Sequence, residues 1–169
     1  MALYKIYNGP SPTAAAQVAV TTGTAIETML QVKGVAAVTM KVKAWGVSGD
    51  GAAAAAGVQY ELIETGTVFA TSGTAHVAAG VVAIDAQALA VASGTYFAFG
   101  TAATGYTFTA EGSITASREL DTQFVQPTGQ YVWEFSLGNE PVVSAVSALR
   151  IRVTAAAAIN AVCWVLIEV

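Results

Sequence analysis

The residues whose types could do chemistry are few: two carboxylate pairs, one histidine and one cysteine. Glycosidases work with two acids about 5 to 10 Å apart across the scissile bond, and the candidates for such a pair are Glu61/Glu64 and Glu119/Asp121. At spacing two on a strand, Glu119 and Asp121 share one face while Arg118 points away. A solvated strand face gives the same pattern without any reaction. His76 has no Ser or Cys and supporting acid grouped with it in a way that suggests a nucleophilic triad. His76 and Cys163, far apart, cannot fill a zinc tetrahedron. Asp50 in Gly49-Asp50-Gly51 lacks the further oxygen ligands of a calcium loop and reads as a turn. Gly46, Gly49 and Gly51 have neither the spacing nor the strand-to-helix context of a phosphate cradle. No catalytic residue, metal site or cofactor is assigned, and the chain is expected not to be an enzyme.

The elements that would have to position these residues are short strands. Period-2 alternation recurs in runs separated by Gly, Pro, Asn and small residues. Residues 3–7 form a first strand with Tyr4 and Ile6 on one face, stopped by Asn8-Gly9-Pro10-Ser11-Pro12. Short strands follow at 17–21 and 27–33, then a clear one at 38–45 with Met40 and Val42 on one face and Lys41, Lys43 and Trp45 on the other. Residues 52–56 read as a small-residue loop, and 58–64 alternate again. The Ala, Thr and Gly-rich middle gives weaker signals: strands near 67–71, 77–84 and 95–99, and at 85–92 a short helix capped by Asp85 as an even alternative. Beyond it, Tyr106 and Phe108 mark a strand, 114–124 holds one or two, and Tyr131, Trp133, Phe135 and Leu137 share a face. Leu149, Ile151 and Val153 alternate with Arg150 and Arg152, and residues 160–169 are apolar on both faces, as in a central, covered strand. Ten or so strands with turns every 8 to 12 residues predict an all-β chain: an antiparallel β-sandwich or barrel in a single domain. Residues 1–12 are read as an N-terminal arm or edge strand and 13–169 as the sandwich.

Charge narrows the role. Only 11% of the 169 residues are charged, against about a quarter in ordinary soluble domains, and no Lys or Arg occurs between Ala44 and Ser117. A surface this neutral is the kind that subunit contacts bury. The net charge of -4 disfavours nucleic acid. Residues 65–84 and 86–110 lack Asp, Glu, Lys and Arg but are broken by Gly, Thr and Ser, so no membrane span is expected, and the first residues do not read as a secretory signal. Cys163 reads as a small buried core residue. Trp45, beside Lys41 and Lys43, is either an exposed interface anchor or a residue covered by the other sheet. Tyr4 and Tyr7 belong to a segment that lies either on a neighbouring subunit or at an edge of its own sheet. Tyr4, Tyr7, Lys41, Lys43 and Trp45 are therefore the candidate interface residues, while Trp133 and Trp164 read as buried.

The segments Trp45-Gly-Val-Ser-Gly-Asp-Gly, Gln59-Tyr-Glu-Leu-Ile-Glu-Thr-Gly-Thr, Phe135-Ser-Leu-Gly-Asn-Glu-Pro and Leu149-Arg-Ile-Arg-Val-Thr-Ala-Ala-Ala-Ala-Ile-Asn-Ala-Val-Cys-Trp are together similar to small virion proteins of tailed bacteriophages infecting actinobacteria. The chain resembles their head-decoration, or minor capsid, proteins from about Thr13 onward. That resemblance implies a jelly-roll type of sandwich on the capsid exterior, made in the host cytoplasm, with the major capsid protein as partner and a homotrimer as its own assembly. It carries no catalytic residues over. Another virion part, such as a tail or receptor-contacting sandwich, and a carbohydrate-binding module are the competing expectations.

Overall fold

A computed structural model describes residues 2–10, 16–52, 56–86 and 94–169. The strands are β1 (Leu3–Tyr7), β2 (Val20–Thr21), β3 (Glu27–Lys33), β4 (Met40–Gly49), β5 (Val58–Glu64), β6 (Thr74–Ala75), β7 (Val81–Ala83), β8 (Gly105–Phe108), β9 (Arg118–Val125), β10 (Gln130–Glu134), β11 (Val142–Val143), β12 (Ala148–Thr154) and β13 (Asn160–Glu168). They pair antiparallel in two sheets. The first runs β10-β4-β13-β1-β7, with β11 added to β4 and β2 to β13; the second runs β6-β8-β3-β12-β5-β9. The sheets pack face to face as an all-β sandwich. Among the described residues the one helical element is a single 3₁₀ turn, Ala78–Gly80, and no helix is long and apolar enough to cross a membrane.

The core lies between the sheets, and period-2 alternation builds it. Ile6, Val42, Val47, Val165 and Ile167 from the first sheet meet Val32, Tyr60, Leu62, Leu149, Ile151 and Val153 from the second. Three bulges interrupt the alternation, at Lys43 in β4, Met29 in β3 and Leu120 in β9, where the pairing registers shift by one residue. An extra residue reverses which face the following side chains take. Val42 and Trp45 therefore both point inward, although three positions apart, and Trp45 is 0% exposed. Strict alternation places Trp45 beside Lys41 and Lys43; the bulge corrects that.

Strand β1 is neither an arm nor an edge, because it pairs with β13 on one side and β7 on the other. Tyr4 is buried against Phe97, edge to face at 5.6 Å. Of the middle third, only residues 81–83 of the expected strands form one; Thr71, Phe97 and Phe99 make isolated bridges. Ser11 and Pro12, and most of the segments 52–56 and 85–92, lie outside the described residues.

Candidate interaction faces

The carboxylates that could have formed an acid pair are separated by the fold. Glu61 accepts from Arg152 Nε at 2.7 Å on the outer face of the second sheet. Glu64 is buried, bonded by Arg118 and by the Ser144 amide at 2.9 Å. The bulge at Leu120 sets Glu119 and Asp121 apart: Glu119 is exposed and accepts from Thr122 Oγ1 at 2.6 Å, whereas Asp121 turns into the mouth of the sandwich. There its carboxylate accepts from Trp45 Nε1 at 3.0 Å, Tyr131 OH at 2.7 Å and Gln123 Nε2 at 2.9 Å, so it joins the two sheets. Burial, helped by Asp121, pushes the Tyr131 hydroxyl pKa up.

His76 is buried, and its Nε2–H donates to the Tyr7 carbonyl at 2.7 Å. Burial pulls its pKa down, against the opposing pull of that bond. The ring forms part of the wall of a cavity of about 340 Å³ with Pro10, Val77, Gly80 and Tyr106. Cys163 is buried in the core, which pushes its thiol pKa up. Asp50 closes a turn by accepting from the Asn160 amide at 3.0 Å. Among the described residues no three His, Cys, Asp or Glu side chains gather where a metal ion could sit.

What differs sharply is the outer faces of the two sheets. The centre of the second sheet, over β3 and β12, is covered by its own chain, in a strap made of residues 65–71 and of 101–104 and 109–112, which flank β8; its β9 edge stays open, with Phe124 74% exposed. Thr71 and Ala110 bond the two arms of the strap together at 2.8 Å, and polar side chains from the sheet fasten it. Gln31 accepts from the Ala70 amide at 2.8 Å and donates to the Ala103 carbonyl at 2.7 Å. Arg150 donates to the carbonyls of Val68 at 2.6 Å and Glu111 at 3.0 Å. The Glu111 carboxylate takes the Thr28 amide and hydroxyl at 2.6 and 2.7 Å. Arg150 is 0% exposed as a result. Glu27 sits near this cluster, and burial together with the Glu111 charge raises its pKa.

Among the described residues no such strap crosses the first sheet. Its outer face presents Val132 from β10, Val162, Trp164 and Leu166 from β13, Leu3 and Tyr7 from β1, and Val82 from β7, all half-buried or exposed. Ile84, just past β7, is 51% exposed. Trp164 lies flat across Gly46, where a Cβ would come within 2.7 Å of the indole, so glycine is required at that crossing. Lys5 rests its ammonium 3.8 Å from the indole centre. The remaining charges gather at one end, where Lys41 and Lys43 share Glu168 at 3.4 and 3.5 Å and Lys43 also binds Glu140. Lys43 holds the Glu140 carboxyl down to about 2.

Of the five interface candidates, Tyr7, Lys41 and Lys43 stand on this uncovered face, while Tyr4 and Trp45 are core residues. Trp164 is half-buried under Lys5 and not wholly covered, so β13 is central but open on its outer side. Trp133, expected in the core, is 50% exposed because β10 is the last strand of its sheet. Val132 on the same strand is 53% exposed, and Leu137 at the tip of the next loop 90%. The available signal was the shortness of the run 130–134 between Gly129 and Gly138, which marks a strand with little to cover it. Compared with protein families, curated proteins and solved structures, the chain matches none.

Proposed function

We propose that this chain is a structural, non-catalytic virion subunit, a decoration protein that binds the outside of a phage head and reinforces the shell. The observation that carries the reading is the broad apolar outer face of the first sheet, which none of the described segments crosses, set against a second sheet whose centre its own chain has covered. Val82, Ile84, Val132 and the half-buried Trp164 and Leu166 come from β7 and just past it, from β10 and from β13, which span the width of the sheet, a broad and shallow surface suited to a flat protein lattice. Docking it on the major capsid protein removes apolar area from water at about 25 cal/mol per Å². Repetition over many copies on the lattice turns individually weak contacts into firm attachment. The charges at the end of the face neutralise one another through Glu168 and Glu140, so docking there does not strand an unpaired ion.

The test is addition of purified protein to heads that lack it. Saturable, stoichiometric binding with a raised head melting temperature, and extra density on the outside of negatively stained particles, are the expected results. Heads that take up no protein at any ratio overturn the reading.

A further inference from the structure

Four strands end the main runs of the two sheets, with two-residue β2 and β11 added beside β13 and β4, and of the four, three have features that discourage pairing with another chain. β6 and β7 span only two and three residues, and β9 is broken by the Leu120 bulge and carries Arg118 and Glu119. Shortness, bulges and charge are the ordinary means by which sheet edges avoid each other. β10 has none of them in its centre: five residues, Gln130–Glu134, pair with β4 in unbroken register, and among the described residues no strand lies on the other side.

Which backbone groups face outward follows from two bonds. The Phe135 amide donates to the Lys43 carbonyl at 2.9 Å, and the Gly49 amide to the Gly129 carbonyl at 3.0 Å. Bonding alternates along an antiparallel pair, so residues 129, 131, 133 and 135 turn their amides and carbonyls to β4. Gln130, Val132 and Glu134 turn theirs to the open side. The central residue of the strand is thus one whose donor and acceptor are both free, the condition for a strand to pair with its own copy in register.

We infer that β10 is a self-complementary edge, through which two copies of this chain pair antiparallel about a two-fold axis at Val132. In that arrangement Val132 faces Val132 of the second copy, and Gln130 faces Glu134, with each pair exchanging both backbone bonds. On the outer face the apolar side chains meet at the centre, and at either end a Gln amide donates to a Glu carboxylate. On the inner face Tyr131 stands opposite Trp133 of the second copy in the closer, non-hydrogen-bonded position, where aromatic pairs contribute most. No two like charges are opposed. The 50% exposure of Trp133 and 53% of Val132 are covered by the pairing, and the two first sheets become one continuous sheet. The inference does not rest on the virion reading, since it concerns the free protein.

Sedimentation equilibrium on charge-swapped variants tests it. The wild-type chain is expected to dimerise. Val132→Lys alone and Val132→Glu alone place like charges face to face and are expected to weaken the dimer at least about tenfold; an equimolar mixture of the two is expected to regain it as a heterodimer. Position 132 is exposed, and unchanged circular dichroism and melting establish that each variant is folded. A wild-type chain that remains monomeric at its solubility limit, a Val132→Lys oligomer as tight as wild type, or a mixture no tighter than its components overturns the proposal.

Discussion

The two outer faces of the sandwich are opposite solutions to the same problem. Each sheet of a sandwich must do something with the side that does not meet the other sheet. The second sheet spends Arg150, Gln31, Thr28 and Glu111 on fastening residues 65–71 and the flanks of β8 across its centre, leaving Phe124 open at the β9 edge. The first sheet is left uncovered, and its charges bind one another at one end and not the rest of the chain. A low content of ions does not by itself produce a greasy exterior: where the few ions are placed decides which face remains available.

Removing the fastener of the covered face has the largest expected effect. Arg150→Ala takes away a fully buried guanidinium and leaves the Val68 and Glu111 carbonyls and the Glu111 carboxylate without it. Breaking a buried ion pair from one side costs about 3–5 kcal/mol, read from urea denaturation. Hydrogen exchange should then quicken in 65–71 and 101–112 ahead of the rest. Uniform protection across the chain in Arg150→Ala would mean the strap is not a unit, and the contrast between the faces would fail.

Acid should act on the two faces with opposite sign. Glu140, at the uncovered face, has its pKa depressed from 4.5 to about 2, so it contributes stability that is present above its unfolded value and lost as pH falls from about 4.5 toward 2. Glu140→Gln is expected to be less stable than wild type at neutral pH, with the difference closing over that acid range. Glu27, beside the strap, has its pKa raised from 4.5 by burial and by Glu111. Its ionisation costs stability above the raised value, and protonation on acidification relieves the cost. Glu27→Gln should therefore gain stability at neutral pH, the gain fading as pH falls through the raised pKa to 4.5. Denaturant midpoints against pH for the two variants decide it; curves of the same sign would show that the faces do not differ electrostatically.

The sequence made the strands legible where alternation is unbroken and sheet position is ordinary. Leu3–Tyr7 and Val58–Glu64 coincide with the runs read from the residues alone, and Glu27–Lys33 does so in extent although Met29 bulges within it. The antiparallel sandwich was legible in the same way. Bulges were not: one extra residue at Lys43 carries Trp45 from the charged face into the core, and one at Leu120 splits Glu119 from Asp121. Nothing in a local window signals where a ladder will slip. Arg150 was also opaque, since Arg150 and Arg152 look alike in an alternating run. Only contacts with Glu111 and Val68, 39 and 82 residues away, bury the first and not the second. Tyr7 and Lys41 point outward as alternation from the start of their strands implies, because no bulge precedes them, whereas Lys43 sits at the bulge itself.

The smallest expected change in stability belongs to the uncovered face, and for that reason it discriminates best. Val82→Lys with Ile84→Lys adds two charges at exposed positions on the rim of the first sheet, and exposed substitutions away from caps and cores usually stay within about 0.5 kcal/mol. Melting of the double variant should therefore match wild type. The same surface, if it seats on a capsid lattice, would have to bury two ammonium groups, and uptake by stripped heads should fall to background. Ala70→Lys makes the complementary change under the strap, where the residue is 0% exposed and its amide is held by Gln31; there a single lysine should destabilise the fold. A double variant that is stable and still decorates heads would move the docking surface off this face, whereas one that unfolds would mean the face is supported by contacts that its exposure does not reveal.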